Sequence, residues 1–203
     1  MTRTVVSAVL FAAGLVVASP GCSKDQGIGD PCVPEREYDA TFNGFDEKQV
    51  ITESSSVQCR TRLCLVNHFR GRVSCPYGQN SDGTSRYPGV ATCSVPGSAA
   101  DKIVGNANDT RKLAEVPPEC VDRSADRAVY CSCRCADING QKPADQPFCD
   151  CPNGFQCTTL VTSIGPKDEG LTGSYCIKND TNYDANTACN QGDCDPTTKR
   201  CGS

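Results

Sequence analysis

The cysteines constrain this chain more than any other feature of its sequence. Seventeen cysteines occur in 203 residues. Ile, Leu, Val and Phe together make up only about 15 % of residues 22–203, a share below that of ordinary globular domains. A chain with so little apolar surface cannot build a large hydrophobic core, and exported proteins of this kind use disulfides to offset the shortage. We therefore predict a small disulfide-rich fold of β-hairpins and loops, with little helix after an N-terminal signal helix.

The N-terminus predicts export. After Met1-Thr2-Arg3, the run Val5–Ala18 is 14 residues long and carries no charge. A membrane span needs roughly 20 apolar residues, so this run is too short for one. Its basic flank and the small residues that follow are typical of a secretory signal peptide, which we place at residues 1–21. Two cleavage positions fit the pattern, one after Ala18 and one before Cys22.

The odd number of cysteines favours a separate role for Cys22, because an exported chain with an odd count leaves one thiol unpaired. The stretch that ends in Gly21-Cys22 resembles the lipobox of bacterial lipoproteins, with Ser19 in the place where Leu is usual. That resemblance implies a diacylglycerol on the Cys22 thiol and a third acyl chain on the freed amine. Cleavage after Ala18 would instead release an unanchored secreted or periplasmic protein with one orphaned thiol.

If Cys22 carries lipid, sixteen cysteines remain and all of them can pair. The predicted disulfide cysteines are Cys32, Cys59, Cys64, Cys75, Cys93, Cys120, Cys131, Cys133, Cys135, Cys149, Cys151, Cys157, Cys176, Cys189, Cys194 and Cys201. They fall into groups of five, seven and four along the chain. If the last four pair among themselves, the first two groups have odd counts and must share a bridge. We therefore expect residues 32–157 to form one unit, although the connectivity itself cannot be deduced from sequence.

The domain organisation follows from composition. Residues 22–37 are polar and contain Gly and Pro, which predicts a lipid-attached tether. Residues 38–203 form the disulfide-rich module, and 158–203 are a possible sub-unit. Residues 94–119 contain no cysteine between two flanking ones and carry a Pro-Pro pair, so we predict a long surface excursion with a short helical turn near Ala99–Val104.

Six stretches predict strands. Residues 63–69 and 72–75 suggest a hairpin with a short turn. The alternating residues 129–135 suggest one strand with Val129, Cys131, Cys133 and Cys135 on the same face. Residues 148–151 follow an Asn-Gly turn signal and could return antiparallel to that strand. Residues 155–163 and 173–177 suggest a further hairpin.

Cysteine motifs and one acidic loop are the candidate metal or calcium features. The CxCxC of Cys131–Cys135 and the CxC of Cys149–Cys151 fit disulfides better than zinc, which prefers paired CxxC knuckles. The nine residues 149–157 resemble the start of the C-terminal half of an EGF-like module, but Cys157 follows too soon. Residues 180–186 space three oxygen side chains as an EF-hand does, yet lack the sixth-position Gly and twelfth-position Glu. We predict no metal and no cofactor, and leave calcium binding by this loop open.

Catalysis is not predicted. His68 is the only histidine, which excludes sites that need two imidazoles, and we expect it to be structural or on the surface. The sequence contains no G-x-S-x-G, Walker A or G-x-G-x-x-G motif. A formal net charge of −4 argues against a nucleic-acid surface.

The stretches "CLVNHFRGRVSCPYG", "CDCPNGFQC" and "CNQGDCDPTTKRC" resemble the cysteine-punctuated sequences of predicted lipoproteins abundant in myxobacteria. The resemblance implies lipid anchoring in the outer envelope and implies no catalytic residue. Ser23 is not the Asp that retains a lipoprotein in the inner membrane, so we expect the outer membrane. The predicted function is an anchored lipoprotein with a structural or binding role and an unknown envelope or extracellular partner. The alternative is a secreted binding module, EGF-like or calcium-assisted.

Overall fold

The computed structural model describes residues 27–98, 104–105, 113–119, 123–161, 172–184, 186, 194–195 and 200–201. The signal region and Cys22 lie outside this part of the chain. Within it, a 3₁₀ turn spans Glu35–Tyr38 and one helical turn, α1, spans Ala125–Ala128. The strands are β1 Val50–Glu53, β2 Cys64–Asn67, β3 Val129–Cys131, β4 Arg134–Ala136, β5 Phe155–Val161, β6 Gly173–Lys178, β7 Cys194–Asp195 and β8 Arg200–Cys201. The predicted fold class of strands and loops with little helix is confirmed. None of the described helices is long and apolar enough to cross a membrane.

The first sheet has the order β1-β2-β3, and both pairings are antiparallel. Its strands are short because the chain supplies only brief apolar runs between turns. On one face, Val66 and Val129 pack in a core cluster with the side chains of Phe42, Phe45 and Phe69. The cysteines of this core cluster are Cys32, Cys59, Cys64 and Cys131. The first sheet therefore has an aromatic core.

The second sheet has the order β4-β6-β5 and is also antiparallel. The predicted hairpin of residues 155–163 and 173–177 is confirmed, because β5 pairs with β6 from Phe155↔Lys178 to Val161↔Gly173. Its connecting turn lies outside the described residues. A two-stranded ribbon of β7 and β8 completes the described strands.

The two sheets pack through their facing side chains. Leu65 and Tyr130 of the first sheet lie in one cluster with Tyr175 and Ile177 of the second. The Tyr130 hydroxyl accepts a hydrogen bond of 3.0 Å from the backbone N–H of Lys178. The contact thus combines apolar packing with a polar anchor for the buried phenol.

The prediction of one continuous strand over 129–135 is wrong. The chain leaves the first sheet after Cys131 and enters the second at Arg134. At the break, the Ser132 N–H donates to Leu63 O at 3.0 Å, and its hydroxyl donates to Cys176 O at 2.8 Å. Ser132 therefore bonds to both sheets, and the alternating cysteines serve two different cores.

The predicted hairpin of residues 63–69 and 72–75 is also wrong. Strand β2 pairs with β1 and β3, whereas Gly71 bridges to Phe45. His68 has a φ of 53° and Gly71 a φ of 84°, so the chain turns away between the two predicted strands. A Cβ at Gly71 would lie 2.3 Å from Pro117 O, which explains why only glycine fits at this crossing.

Residues 148–151 return beside β4 without forming a strand. The Cys149 N–H donates to Arg134 O at 3.0 Å, and the intervening turn closes from Gly140 N–H to Asp137 O at 3.1 Å. The predicted antiparallel return thus reduces to one backbone hydrogen bond and a disulfide.

Two segments predicted to be peripheral contact the folded body. In the predicted tether, the Gly29 N–H donates to Cys131 O and the Cys131 N–H donates to Asp30 O, each at 2.8 Å. In the predicted excursion, Val104 and Val116 are fully buried in one cluster. The predicted helical turn lies almost entirely outside the described residues. The body therefore begins no later than Gly27, five residues after Cys22.

Candidate functional site

Six disulfides join all of the cysteines whose side chains the structure describes. They are Cys32–Cys64, Cys59–Cys131, Cys75–Cys93, Cys133–Cys149, Cys135–Cys157 and Cys151–Cys176. The side chains of Cys22, Cys120, Cys189, Cys194 and Cys201 lie outside the described part. We predicted that the first two cysteine groups share at least one disulfide, and Cys59–Cys131 is such a disulfide. However, Cys176 pairs with Cys151, so the third group does not close on itself.

Three of these disulfides form a sulfur cluster beneath the second sheet. The Cys176 Sγ lies 3.7 Å from the Sγ atoms of both Cys133 and Cys149, which are bonded to each other. Within the described part of the chain, the only groups of three potential metal ligands within 4.8 Å consist of disulfide cysteines. A sulfur in a disulfide is not the thiolate that binds zinc. The interpretation of the CxCxC and CxC motifs as disulfides is therefore confirmed.

The EGF-like stretch does not close on itself. Cys149, Cys151 and Cys157 pair with Cys133, Cys176 and Cys135, all outside residues 149–157. The stretch lies between β4 and β6 and supplies one cysteine to each of three different bridges. The resemblance is thus limited to its local turn.

The loop at residues 180–184 is held by two arginines. The Asp180 carbonyl accepts a hydrogen bond of 2.6 Å from Arg127, and the Thr181 carbonyl accepts one from Arg123. The Asp184 carboxylate caps the Asn186 N–H at 2.9 Å. These two bonds fix the backbone of the loop at its first two residues. The loop is therefore held to the segment around α1 by Arg123 and Arg127, an arrangement that we call the clamp.

His68 belongs to the same clamp. Its ring stacks on Tyr183 with centroids 4.3 Å apart and planes inclined by 4°, and its Nδ1 lies 2.8 Å from Glu47 O. Burial lowers the pKa of His68, and the charge of Arg123 acts in the same direction. Arg123 also donates to the carbonyls of Asn67 and His68 itself. The ring thus fills a structural position between Tyr183 and the Glu47 carbonyl.

A cleft of about 340 Å³ lies at the end of β1, and we name it the Glu53 cleft. Its lining residues are Val33, Glu35, Tyr38, Glu53, Ser55, Ser56, Val57 and Gln58. The Glu53 carboxylate accepts the Glu35 N–H at 2.7 Å. Gln58 fastens the opposite wall, since its amide accepts from Val33 N at 3.0 Å and donates to Val33 O at 2.8 Å.

The charges that line the Glu53 cleft are all negative. Burial raises the pKa of Glu53, and the nearby Glu35 carboxylate raises it further, against the backbone N–H groups of Glu35 and Arg36 and the Arg36 charge. The cleft also exposes apolar surface, because Tyr38 is 49 % and Val57 81 % exposed. An acidic cleft with apolar walls can bind a cation that carries a hydrocarbon portion.

A larger cleft of about 600 Å³ carries charges of both signs. Arg36 and Arg70 line it together with Asp46, Glu47 and Glu115. Glu115 is already paired with Arg86. With the charges so mixed, this cleft selects less clearly for one class of ligand than the Glu53 cleft does.

Neither the Glu53 cleft nor the role of Arg123 was predicted from the sequence. The cleft joins residues 33–38 to residues 53–58, and no periodic pattern connects the two segments. The one local signal is Val57, a lone aliphatic residue in the polar stretch "ESSSVQ". Arg123 lies just before α1 in a segment with no apolar pattern, so sequence alone does not distinguish it from a surface arginine.

Comparison with known proteins assigns no family to this chain. Searches with family models, against curated proteins and against solved structures found no match.

Proposed function

We propose that this protein is a lipid-anchored envelope lipoprotein whose disulfide-stapled module has a structural or binding role and no catalytic one. The proposed anchor is Cys22, and the proposed location is the outer membrane. The resemblance of the residues up to Cys22 to a lipobox supports the proposed membrane location. The disulfide-rich sheets form the compact module that the lipid anchor would hold at the membrane.

The pairing of cysteines is the observation that carries this proposal. Twelve of the seventeen cysteines are joined in six disulfides within residues 32–176. Five remain, and an odd number cannot pair completely within one chain. Cys22 is the one that follows a signal peptide pattern, so acylation there leaves an even number for the rest of the module.

The short distance along the chain between Cys22 and the folded body supports an anchored module. Gly27, the first described residue, lies five positions after Cys22 in the sequence. Since an extended chain spans at most about 3.6 Å per residue, the body would lie within about 18 Å of its lipid. Three acyl chains bind a bilayer far more stably than one, because each buried CH₂ contributes about 0.8 kcal/mol.

We propose no catalytic role because the side chains that a reaction would use are engaged in the structure. His68 is stacked on Tyr183 and bonded to Glu47 O, and the described cysteines are oxidised. What the module offers instead is surface shape and charge, which suits binding or display.

Intact mass with and without reduction tests the proposal on the exported protein. We expect the mass of a tri-acylated chain that starts at Cys22, with no free thiol before reduction and sixteen alkylated cysteines after it. Cys22→Ser should abolish acylation and detergent-phase partition, whereas Ser19→Leu, which introduces the usual lipobox residue, should preserve both. A chain that is unacylated, starts at Ser19 and is soluble without detergent would instead establish the secreted alternative.

A further inference from the structure

We propose that the Glu53 cleft binds a lysine or arginine side chain of a partner polypeptide that lies extended along the free edge of β1. The inference rests on the binding role proposed above and specifies its partner. It does not depend on the lipid at Cys22.

Charge is the first argument. Neither Glu35 nor Glu53 forms an ion pair with a residue of the described chain. The cation nearest in sequence, Arg36, stacks its guanidinium over the Phe42 ring, 4.6 Å from the centroid. The Arg36 charge acts on Glu53 without forming an ion pair with it. The two neighbouring carboxylates therefore still repel each other, and a cation that enters between them relieves this repulsion. The cleft therefore favours positive ligands over neutral or negative ones.

The exposed apolar side chains are the second argument. The described part of the chain exposes three large hydrophobic residues, and Tyr38 and Val57 of these line this one cleft. Lysine and arginine bury their aliphatic stems on apolar surface while their charged ends reach polar groups. The Tyr38 ring can also contact the cation through its face. A hydrophobic ligand without charge would leave the two carboxylates desolvated and unpaired.

The walls of the cleft are fixed before any ligand binds. The turn Glu35–Tyr38 is locked by Glu37, which is fully buried and accepts the N–H groups of Val73 and Ser74. Arg72 completes the lock by donating to Phe42 O at 2.8 Å. A preorganised pocket binds more tightly, because its ordering cost is already met on folding.

The free edge of β1 identifies the ligand as a polypeptide. Strand β1 lies at the edge of the first sheet and pairs only with β2 among the described residues. Its last residue is Glu53, so the edge leads directly into the cleft. An edge strand presents unpaired N–H and C=O groups on which an extended segment can add. Alternate side chains of such a segment point the same way, and one of them would enter the cleft.

Two blocked pentapeptides test the proposal on the full-length oxidised protein. The probe is acetyl-Thr-Val-Lys-Val-Thr-amide, and its match carries Gln in place of Lys. In ¹H–¹⁵N spectra we expect the Lys peptide to shift the amides of residues 50–58 and to bind at least about tenfold more tightly than the Gln peptide. Methylating the backbone nitrogens that face β1 should lower the affinity by a similar factor.

Variants locate the effect. Glu53→Gln keeps an oxygen acceptor for the Glu35 N–H and should reduce the Lys-over-Gln preference to below about threefold. Glu35→Gln, whose side chain makes no described bond, should lower the preference without any effect on folding. Asp145→Asn removes an exposed carboxylate from the loop between β4 and β5 and should leave the preference intact.

Three results would overturn the inference. Equal binding of the two peptides would remove the charge argument, and shifts confined to other residues would remove the site. Binding of spermidine without binding of the Lys peptide would assign the cleft to a free polyamine. None of these results depends on acylation at Cys22, so the intact-mass experiment tests the anchor proposal separately.

Discussion

The two sheets of this protein are cross-linked in different ways. Around the first sheet, Cys32–Cys64 and Cys59–Cys131 bury both of their sulfurs, and each of the four cysteines is at most 3 % exposed. Around the second sheet, each of three disulfides joins a buried cysteine to a more accessible one. The accessible partners are Cys149, Cys151 and Cys157. The disulfides thus lie inside the core of the first sheet and at the solvent boundary of the second.

This difference follows from where the apolar residues are. Phe42, Phe45 and Phe69 surround the buried disulfides of the first sheet. The core cluster around the disulfides of the second sheet contains only cysteines as buried members, Cys133, Cys135 and Cys176, with Ile28 and Phe155 partly buried beside them. In this chain with few aliphatic residues, the disulfides of the first sheet supplement an aromatic core. The disulfides of the second sheet themselves form most of the buried cluster there.

Between the two sheets, none of the described disulfides provides a link. Contact there consists of the cluster with Leu65, Tyr130 and Tyr175, and of polar bonds such as Ser132 to Cys176. Arg123 adds a clamp, since it binds the carbonyls of Asn67 and His68 at the end of β2 and of Thr181 after β6. Each sheet is stapled internally, and among the described residues the contact between the sheets, which we call the non-covalent joint, consists of side-chain packing and hydrogen bonds.

The largest expected effect is the loss of Cys59–Cys131 in the doubly substituted Cys59→Ala/Cys131→Ala protein. This disulfide spans a sequence separation of 72, which corresponds to about 4 kcal/mol by the loop-entropy relation. Its sulfurs also lie inside the aromatic core, where their removal leaves a cavity. The free energy of unfolding, measured by urea titration with tyrosine fluorescence, should fall accordingly.

The matched control is Cys133→Ala/Cys149→Ala in the second sheet. That disulfide has a sequence separation of 16, and its removal should cost about 3 kcal/mol. If the control were the more damaging of the two, loop length and core burial would not govern the contribution of these bridges.

The next effect concerns the non-covalent joint. Arg123→Met leaves the buried carbonyls of Asn67 and Thr181 without their donor, at a cost of about 3 kcal/mol, because hydrogen bonds to charged groups are the strong ones. Arg127→Met removes one exposed bond to Asp180 and should cost about 1 kcal/mol or less. Thermal or urea unfolding separates the two, and equal losses would show that Arg123 is not the clamp.

The parts of the fold that were predictable are local. The β5–β6 hairpin was predicted because its two strands are neighbours in sequence and flank the Gly- and Pro-containing stretch "GPKDEG". The first sheet was not, because β1, β2 and β3 are separated by long loops and β3 comes some sixty residues after β2. The run 129–135 reads as a single strand because the alternation continues through Ser132, although the side chain there bonds across to Cys176.

The candidate site was less predictable than the fold. Cysteine count and spacing indicated disulfides, yet the pairings depend on which loops meet. Tyr38 and Val57 reach one cleft only because Gln58 ties its segment to Val33. Hydrogen bonds between a side chain and a backbone group far away in sequence produce no hydrophobic periodicity, so they cannot be recognised from the sequence.

The smallest expected effect is kinetic and tests the difference between the two sheets directly. Thiol–disulfide exchange requires a reductant thiolate to reach a sulfur, so access governs the rate for a folded protein. The bridges that contain Cys149, Cys151 and Cys157 should therefore be reduced at least about tenfold faster than Cys59–Cys131 under native conditions. Timed addition of dithiothreitol, alkylation at intervals and peptide mass mapping give each rate separately.

The dependence on denaturant distinguishes this explanation from its alternative. If access controls reduction, mild urea should accelerate the opening of Cys59–Cys131 steeply, because its sulfurs are reached only after the first sheet opens, and should leave the three accessible bridges nearly unchanged. If all bridges instead opened at one rate that rose together with urea, reduction would proceed through global unfolding. The buried and accessible disulfides would then form one cooperative unit, and the non-covalent joint at Arg123 would be as strong as the cross-links on either side of it.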